Sequence, residues 1–312
     1  MKLYLTIDGG TTNTRINLVR DGKLCDTVKN SVGAGKAKDD KELYVGAIRE
    51  GIAEILSRNY LTEQDITAII ASGMITSEYG LCNLEHISVP AGLCELHESM
   101  YKCDIPQISS IPVVFIRGVK CCGESFADTD IMRGEETELM GIIDKAYGKC
   151  VYVLPGSHSK IIKTDEKGRI WDFSTMFTGE MTYVLSQNTI LKDAVDLSIS
   201  DFDEKMLLCG FDTCKDEGIN KALFKVRILK NIFSASAVEC YSFFMGVVLC
   251  DELVSIINSD AENVVLAGKA QLKNAMAYIL QKRCNKKVVT VDDSTVNAST
   301  AVGAVRIFES AL

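Results

Sequence analysis

No run in this chain reaches about 18 uninterrupted apolar residues, so no segment has the length expected of a membrane-spanning helix. There is no cluster of Lys and Arg and no stripe of aromatic and basic residues. With a formal net charge of -8, this argues against nucleic acid as a partner. A basic, apolar, small-residue leader is also missing: the chain opens directly on a β-prone run, and the expected compartment is the cytoplasm. The 12 cysteines are scattered rather than spaced as a disulfide framework, so in a reducing compartment most act as small core hydrophobes. Cys82, His86, Cys94 and His97 have the residue types of a zinc site, but their spacing matches no familiar finger, and the expectation is unrelated side chains in a loop-rich segment. The remainder is a globular composition, 47% apolar and 24% charged, over 312 residues, long enough for two domains.

The chain is organised around its opening stretch, Tyr4 to Arg15. An apolar run ends on Asp8, turns through Gly9, Gly10, Thr11, Thr12 and Asn13, and resumes as a strand from Ile16 to Val19. Glycines let the main chain approach a ligand closely, and exposed N–H groups in such a turn form an anion-binding concavity. Thr11, Thr12 and Thr14 add hydroxyl donors, Arg15 a positive charge, and Asp8 a carboxylate suited to magnesium. An ordinary hairpin turn is the competing reading of this motif taken alone.

Beyond Asp21-Gly22 a third strand, Lys23 to Val28, completes a meander, and Val32 to Asp40 reads as a loop. Val45, Ile48, Ile52 and Ile55 recur at helical spacing, predicting a helix over Lys41 to Arg58. Ile66 to Ala71 is a buried-type strand that delivers Ser72, Gly73 and Met74 at its C-terminal end, where α/β sheets usually contact ligands. Residues 80 to 112 read as irregular, and Pro112 to Ile116 as a further strand. Met132 to Ile143 predicts a helix with Glu135 and Glu136 in its first turn. The pair is either a response to the helix dipole or a carboxylate positioned to take a proton from a substrate hydroxyl.

Cys150 to Lys163 repeats the opening: strand, small and hydroxyl turn, strand, followed by Asp165-Glu166-Lys167-Gly168 into another strand. Gly156 falls on Gly9 and Leu154 on Ile7, so one meander with a phosphate-type loop occurs in each half. Pro155 stands where Asp8 stood, which puts the metal on the side of the first loop. His158 is a phosphate donor or a structural loop histidine, and Glu180, at the start of a helix through Asn188, is a substrate contact or a first-turn acid. Residues 193 to 216 have weak periodicity. Ser236 to Ile257 reads as one long central helix, Val264 to Gly268 as a strand ending in glycine, Gln271 to Arg283 as a helix, Lys287 to Val291 as a strand and Thr295 to Glu309 as a helix of small residues.

Asp8 to Asn13, Gly156-Ser157-His158-Ser159-Lys160 and Val264 to Gly268 resemble the two phosphate loops and the adenosine loop of the actin, sugar-kinase and heat-shock ATPase superfamily. Within it the chain is most similar to the 2-dehydro-3-deoxygalactonokinase family, over nearly its whole length. Ile7 to Asn13, Ser72 to Met74, Met132-Arg133-Gly134-Glu135-Glu136-Thr137, Pro155 to Lys160 and Thr178-Gly179-Glu180 carry the likeness. The acidic helix start also resembles that of exopolyphosphatases. Gly9 departs from a familiar Trp, and Ser157 from a more usual Thr.

The resemblance implies an α/β fold of two ribonuclease-H-like domains, residues 1–145 and 146–312, with an interdomain cleft and the last helix returning to the first domain. It implies a kinase using ATP and Mg2+ on the terminal hydroxyl of 2-dehydro-3-deoxy-D-galactonate or a close relative. Asp8 would hold the metal; Gly9 to Asn13, Arg15, Gly156 to Lys160 and Gly268 the nucleotide; Ser72, Gly73, Met74, Arg133 and Glu180 the substrate, with Arg133 on its carboxylate; and Glu135 or Glu136 would be the base. The partner is then a small sugar acid, with neither nucleic acid nor membrane, and a homodimer is left open. A hydrolase using water on the same loops, and an ATP-binding regulator, are the alternatives.

Overall fold

A computed structural model describes residues 2–143, 148–268 and 270–310. Strands are Leu3–Gly9 (β1), Thr14–Arg20 (β2), Lys23–Asn30 (β3), Ala68–Gly73 (β4), Ile87–Ser88 (β5), Tyr101–Cys103 (β6), Val113–Phe115 (β7), Val119–Cys121 (β8), Asp130–Met132 (β9), Cys150–Leu154 (β10), Ser159–Thr164 (β11), Ile170–Met176 (β12), Asn263–Leu266 (β13) and Lys287–Thr290 (β14). Helices are Ala34–Ala37 (α1), Lys41–Arg58 (α2), Leu93–Glu98 (α3), Glu135–Ile142 (α4), Thr178–Asn188 (α5), Glu204–Glu217 (α6), Ile219–Ile232 (α7), Ala237–Val248 (α8), Cys250–Ile257 (α9), Ala270–Arg283 (α10) and Asp293–Glu309 (α11).

The chain divides into two compact units. One takes in the described residues up to 143 together with Asp165–Asp172 and the chain from Ser294 on; the other holds Phe173–Asp293 and the described residues from 148 to Thr164. The boundary expected at residues 145 and 146 lies outside the described residues.

In the first unit the main sheet runs β3-β2-β1-β4-β7-β6. β1 lies antiparallel to β2 and parallel to β4, and every residue of β1 except Asp8 is buried, as a central strand requires. α2 is capped by Asp40, whose side chain accepts from the Leu43 N–H at 2.9 Å, and it buries Tyr44, Ile48, Ile52 and Ile55 against β1, β2 and β4. A small sheet, β5-β8-β9, leads out through β9 into α4. α11 packs on α4 where two glycines permit backbone contact: a Cβ on Gly303 would stand 1.9 Å from the Thr137 carbonyl, and one on Gly141 1.9 Å from that of Ser299.

The second unit, which takes β12 from Phe173 on, repeats the plan in the sheet β12-β11-β10-β13-β14, with β10 antiparallel to β11 and parallel to β13. Its core packs α6 to α10 against β10, β11 and β13. No single helix among the described residues is long and apolar enough to cross a membrane.

Four expectations need correction. The stretch from 80 to 112, read as irregular, holds β5, α3 and β6. The loop expected over Val32 to Asp40 contains α1, one helical turn. The weakly periodic stretch 193 to 216 ends in α6, and α7 follows it. The single helix expected over Ser236 to Ile257 is two helices bent by 51° at Leu249.

Candidate active site

The end of β1 carries Asp8, which accepts a hydrogen bond at 2.8 Å from Arg15 Nη1 on β2, its partner in the strand register. Burial pushes the Asp8 carboxyl up, against the pull of Arg15. The turn from Gly10 to Asn13 is closed by Gly10 N–H to Asn13 O at 2.9 Å, and α1 braces it from outside through Ala34 and Gly35 N–H to the carbonyls of Gly10 and Thr11. Thr11 and Thr12 stand exposed. Thr14 is buried and donates to Val32 O at 2.8 Å, so its hydroxyl is committed to the fold. Ile75 and Tyr44 occupy the space a side chain at Gly9 would need: a Cβ there would meet Ile75 Cβ at 2.6 Å and the Tyr44 hydroxyl at 2.9 Å.

Ser72 and Gly73 pair in register with Asp8 and Gly9. Gly73 has φ +85° and would put a Cβ 2.8 Å from the Gly9 carbonyl; Gly134, with φ +115°, would put one 3.3 Å from Gly73 Cα. Both conformations favour glycine. Backbones thus stack in the order β1, β4, α4, which brings the start of α4 to the edge where Asp8 stands.

The two glutamates there differ. Glu136 is fully buried and accepts the Gly134 N–H at 2.9 and 2.8 Å and the Thr137 hydroxyl at 3.0 Å, closing the helix start. Burial, and then Glu135, push its acid up to about 7. Glu135 is half-buried, and its Oε2 accepts the Arg133 N–H at 3.0 Å. A third acid, Glu138, escaped the sequence reading: it too is pushed up to about 7, by burial first and then by the charges of Glu135 and Asp8. Its signal was present, because Glu135 and Glu138 are three apart and share a helix face.

The Arg133 guanidinium turns toward the protein. Nη1 donates to Thr76 O and Oγ1, both at 2.6 Å, and Nη2 to Leu84 O at 3.0 Å, with His86 Nδ1 3.4 Å away. It thereby ties the turn after Ser72-Gly73-Met74 to the start of α4. Burial, with Arg133 beside it, drives His86 down to about 4 and keeps it neutral.

In the second unit, Gly156, Ser157 and His158 are exposed, while Ser159 and Lys160 are buried. Strand pairing ends at Leu154–Lys160, because Pro155 has no N–H to extend it. Lys160 Nζ donates to Thr175 Oγ1 on β12 at 2.6 Å. α5 lies directly on the loop: a Cβ on Gly179 would stand 2.1 Å from the Gly156 carbonyl, and Glu180 N–H donates to Ser157 O at 3.1 Å. His158 pairs with Glu180 at 3.0 Å and stacks on Phe177. Gly268 follows β13 and abuts Pro155, where a Cβ would be 3.0 Å from the proline carbonyl.

Among the described residues no three of Cys82, His86, Cys94 and His97 bring ligand atoms together; the group that does converge is Cys214, Cys250 and Asp251. Burial pushes both of its thiols up, away from the thiolate a metal needs. For magnesium the hard oxygens of Asp8 and Glu138 are the fitting donors, since their mutual repulsion is what a cation relieves.

A solved structure from Sinorhizobium meliloti, provisionally named a 2-dehydro-3-deoxygalactonokinase, superposes with a TM-score of 0.78 at 22% identity, over 98% of this chain and 99% of that one. The activator of 2-hydroxyisocaproyl-CoA dehydratase from Clostridium difficile, solved with bound ADPNP, gives 0.54 at 14% over 99% and 95%, and a provisionally named N-acetylglucosamine kinase from Porphyromonas gingivalis gives 0.51 at 14% over 98% and 99%. These likenesses and the duplicated sheet define the fold class, that of actin-like ATPases and sugar kinases. Residues 8–303 match the family described as 2-keto-3-deoxy-galactonokinase, and the chain belongs to that family of carbohydrate kinases. A curated relative from Rhizobium meliloti, provisionally named a 2-dehydro-3-deoxygalactonokinase, is 27% identical over 194 residues. The match covers 62% of this chain and 59% of the relative's length.

Proposed function

We propose that the protein transfers the γ-phosphoryl group of ATP to the terminal (6-) hydroxyl of 2-dehydro-3-deoxy-D-galactonate or a close 2-keto-3-deoxy sugar acid. The observation that carries this reading is the stack of Gly9, Gly73 and Gly134, because it sets an acidic helix start at the mouth of a phosphate-type loop in a family of carbohydrate kinases. Phosphoryl transfer asks the protein to position and neutralise rather than to do covalent chemistry.

Glu135 is the base. It is the member of the pair that is not sealed, and its bond from the Arg133 N–H orients the carboxylate to take the proton of the attacking hydroxyl. Glu136 holds the helix start. Asp8, with Glu138, would hold magnesium, which when bound would supply positive charge at the phosphates. The N–H groups of Gly9 to Asn13 and the hydroxyls of Thr11 and Thr12 hold phosphate in the first unit, and Gly156 to Ser159 do so in the second. Arg15 restrains Asp8. Gly268, which abuts Pro155, is the nucleoside contact of this reading. Ser72, Gly73 and Met74 receive the substrate, and Arg133 braces that turn rather than gripping a carboxylate. Glu180, paired with His158, holds that ring, and His158 is the phosphate donor.

The test is to incubate the protein with ATP, magnesium and a panel of 2-keto-3-deoxy sugar acids. ADP released only with an acceptor, together with a phosphorylated acid, supports the kinase. Free phosphate whatever the acceptor supports a hydrolase, and nucleotide binding without turnover supports a regulator.

A further inference from the structure

Glu252 is a buried acid that the reaction leaves unused. It stands in the first turn of α9, 1% exposed, beneath the second loop. Its Oε2 accepts the Thr178 hydroxyl at 2.7 Å, and the Ser159 hydroxyl bonds the same carboxyl. Thr178 begins α5 and Ser159 closes the exposed turn Gly156 to His158, so one carboxyl holds both flanks of the loop. The other oxygen, Oε1, is sealed from solvent and has no hydrogen-bond partner among the described residues.

Charge does not explain its burial. The loop's own charged groups are committed elsewhere, His158 to Glu180 and Lys160 to Thr175. α9 packs on α6, α8 and α10, whose buried ionisable groups are Cys214, Cys240, Tyr241 and Lys273, the last paired with Asp293. The interactions that set the acid are burial, which pushes it up to about 7, and the two hydroxyls, which oppose that rise. An ionised Glu252 would carry charge on an oxygen without a donor, a costly arrangement in a dry site.

We propose that Glu252 is a positioning residue of the second phosphate loop whose neutral form admits the nucleotide, so that nucleotide binding there is linked to uptake of a proton from solvent by this carboxyl. The proposal rests on the reading that this loop holds phosphates. A phosphate seated on Gly156 to Ser159 brings negative charge near a carboxyl whose hydrogen-bond partners are two neutral hydroxyls, and like charge favours the protonated acid. The proton taken up stays on Glu252 while the nucleotide is bound.

The experiment is calorimetric titration of the full chain with magnesium ADP at pH 7.5 in two buffers of different protonation enthalpy. Wild type should take up about half a proton more per nucleotide than Glu252→Gln, and its Kd should rise about fivefold more than the variant's from pH 7 to 8.5. Equal proton uptake by the two proteins overturns the proposal. Should Glu252→Gln fail to fold, Thr178→Val decides the matter. It removes a bond that favours the carboxylate, so the pH midpoint of nucleotide binding should move up, and an unmoved midpoint overturns the proposal equally. A wild type that binds no nucleotide, or binds it unaffected by Gly156→Val, defeats the loop reading instead, which separates the two failures.

Discussion

Glu135→Gln and Glu136→Gln change neighbouring residues in the same way, yet their consequences should differ in kind. At Glu135 the loss is a proton acceptor facing the site, and removal of a general base costs about 10²- to 10⁴-fold in kcat. The helix should remain, because the Arg133 N–H can still bond to the amide oxygen. At Glu136 the carboxyl is fully buried and bonded to Gly134 and Thr137. A glutamine oxygen can accept both donors, so the cost should be on the order of 1 kcal/mol of stability, with kcat within about tenfold of wild type. Steady-state kinetics at saturating ATP and sugar acid, with chemical denaturation of each variant, separates the two. A Glu135→Gln enzyme within tenfold of wild type, or a Glu136→Gln enzyme equally impaired at unchanged stability, would refute the division of roles.

The same buried acid gives a pH signature. Glu136 has its folded pKa raised to about 7, above its unfolded value, so its favourable contribution is complete below the unfolded pKa and is lost as pH rises through 7. The destabilisation caused by Glu136→Gln should therefore shrink between pH 6 and 8.5 in denaturant titrations, and a constant difference would contradict the burial argument. Arg133→Lys breaks a fork that holds Thr76 and Leu84, so it should lower stability by about 2 kcal/mol as well as raise KM for the sugar acid. A rise in KM with unchanged stability would return the guanidinium to the substrate carboxylate.

What could be read from the residues was what local patterning determines. The meander β1 to β3 and the helix over Lys41 to Arg58 followed from alternation, turn glycines and helical spacing, and the repeat at Cys150 led to the duplicated sheet order. α1 is a single turn, too short for any period to register. α6 did carry a period, Leu207, Gly210, Phe211 and Cys214, but the irregular stretch before it hid the phase. The bend at Leu249 was invisible because Cys240 to Cys250 is buried at every position, leaving no polar face to mark a change of direction. In the site, glycines and hydroxyls located both loops, but the directions of Thr14, Lys160 and Arg133 depend on Val32, Thr175, Thr76 and Leu84, partners from other segments. A sequence motif names residue types and is silent about which of them the fold has already engaged.

Transfer to one hydroxyl of a sugar acid can be read by phosphorus NMR of the reaction with ATP, magnesium and 2-dehydro-3-deoxy-D-galactonate. One phosphomonoester resonance coupled to the two protons of a single carbon, the mark of the terminal CH₂–O–P, should appear in step with ADP. Inorganic phosphate growing at the same rate with or without the acid, or a phosphoester coupled to a single proton, would contradict it.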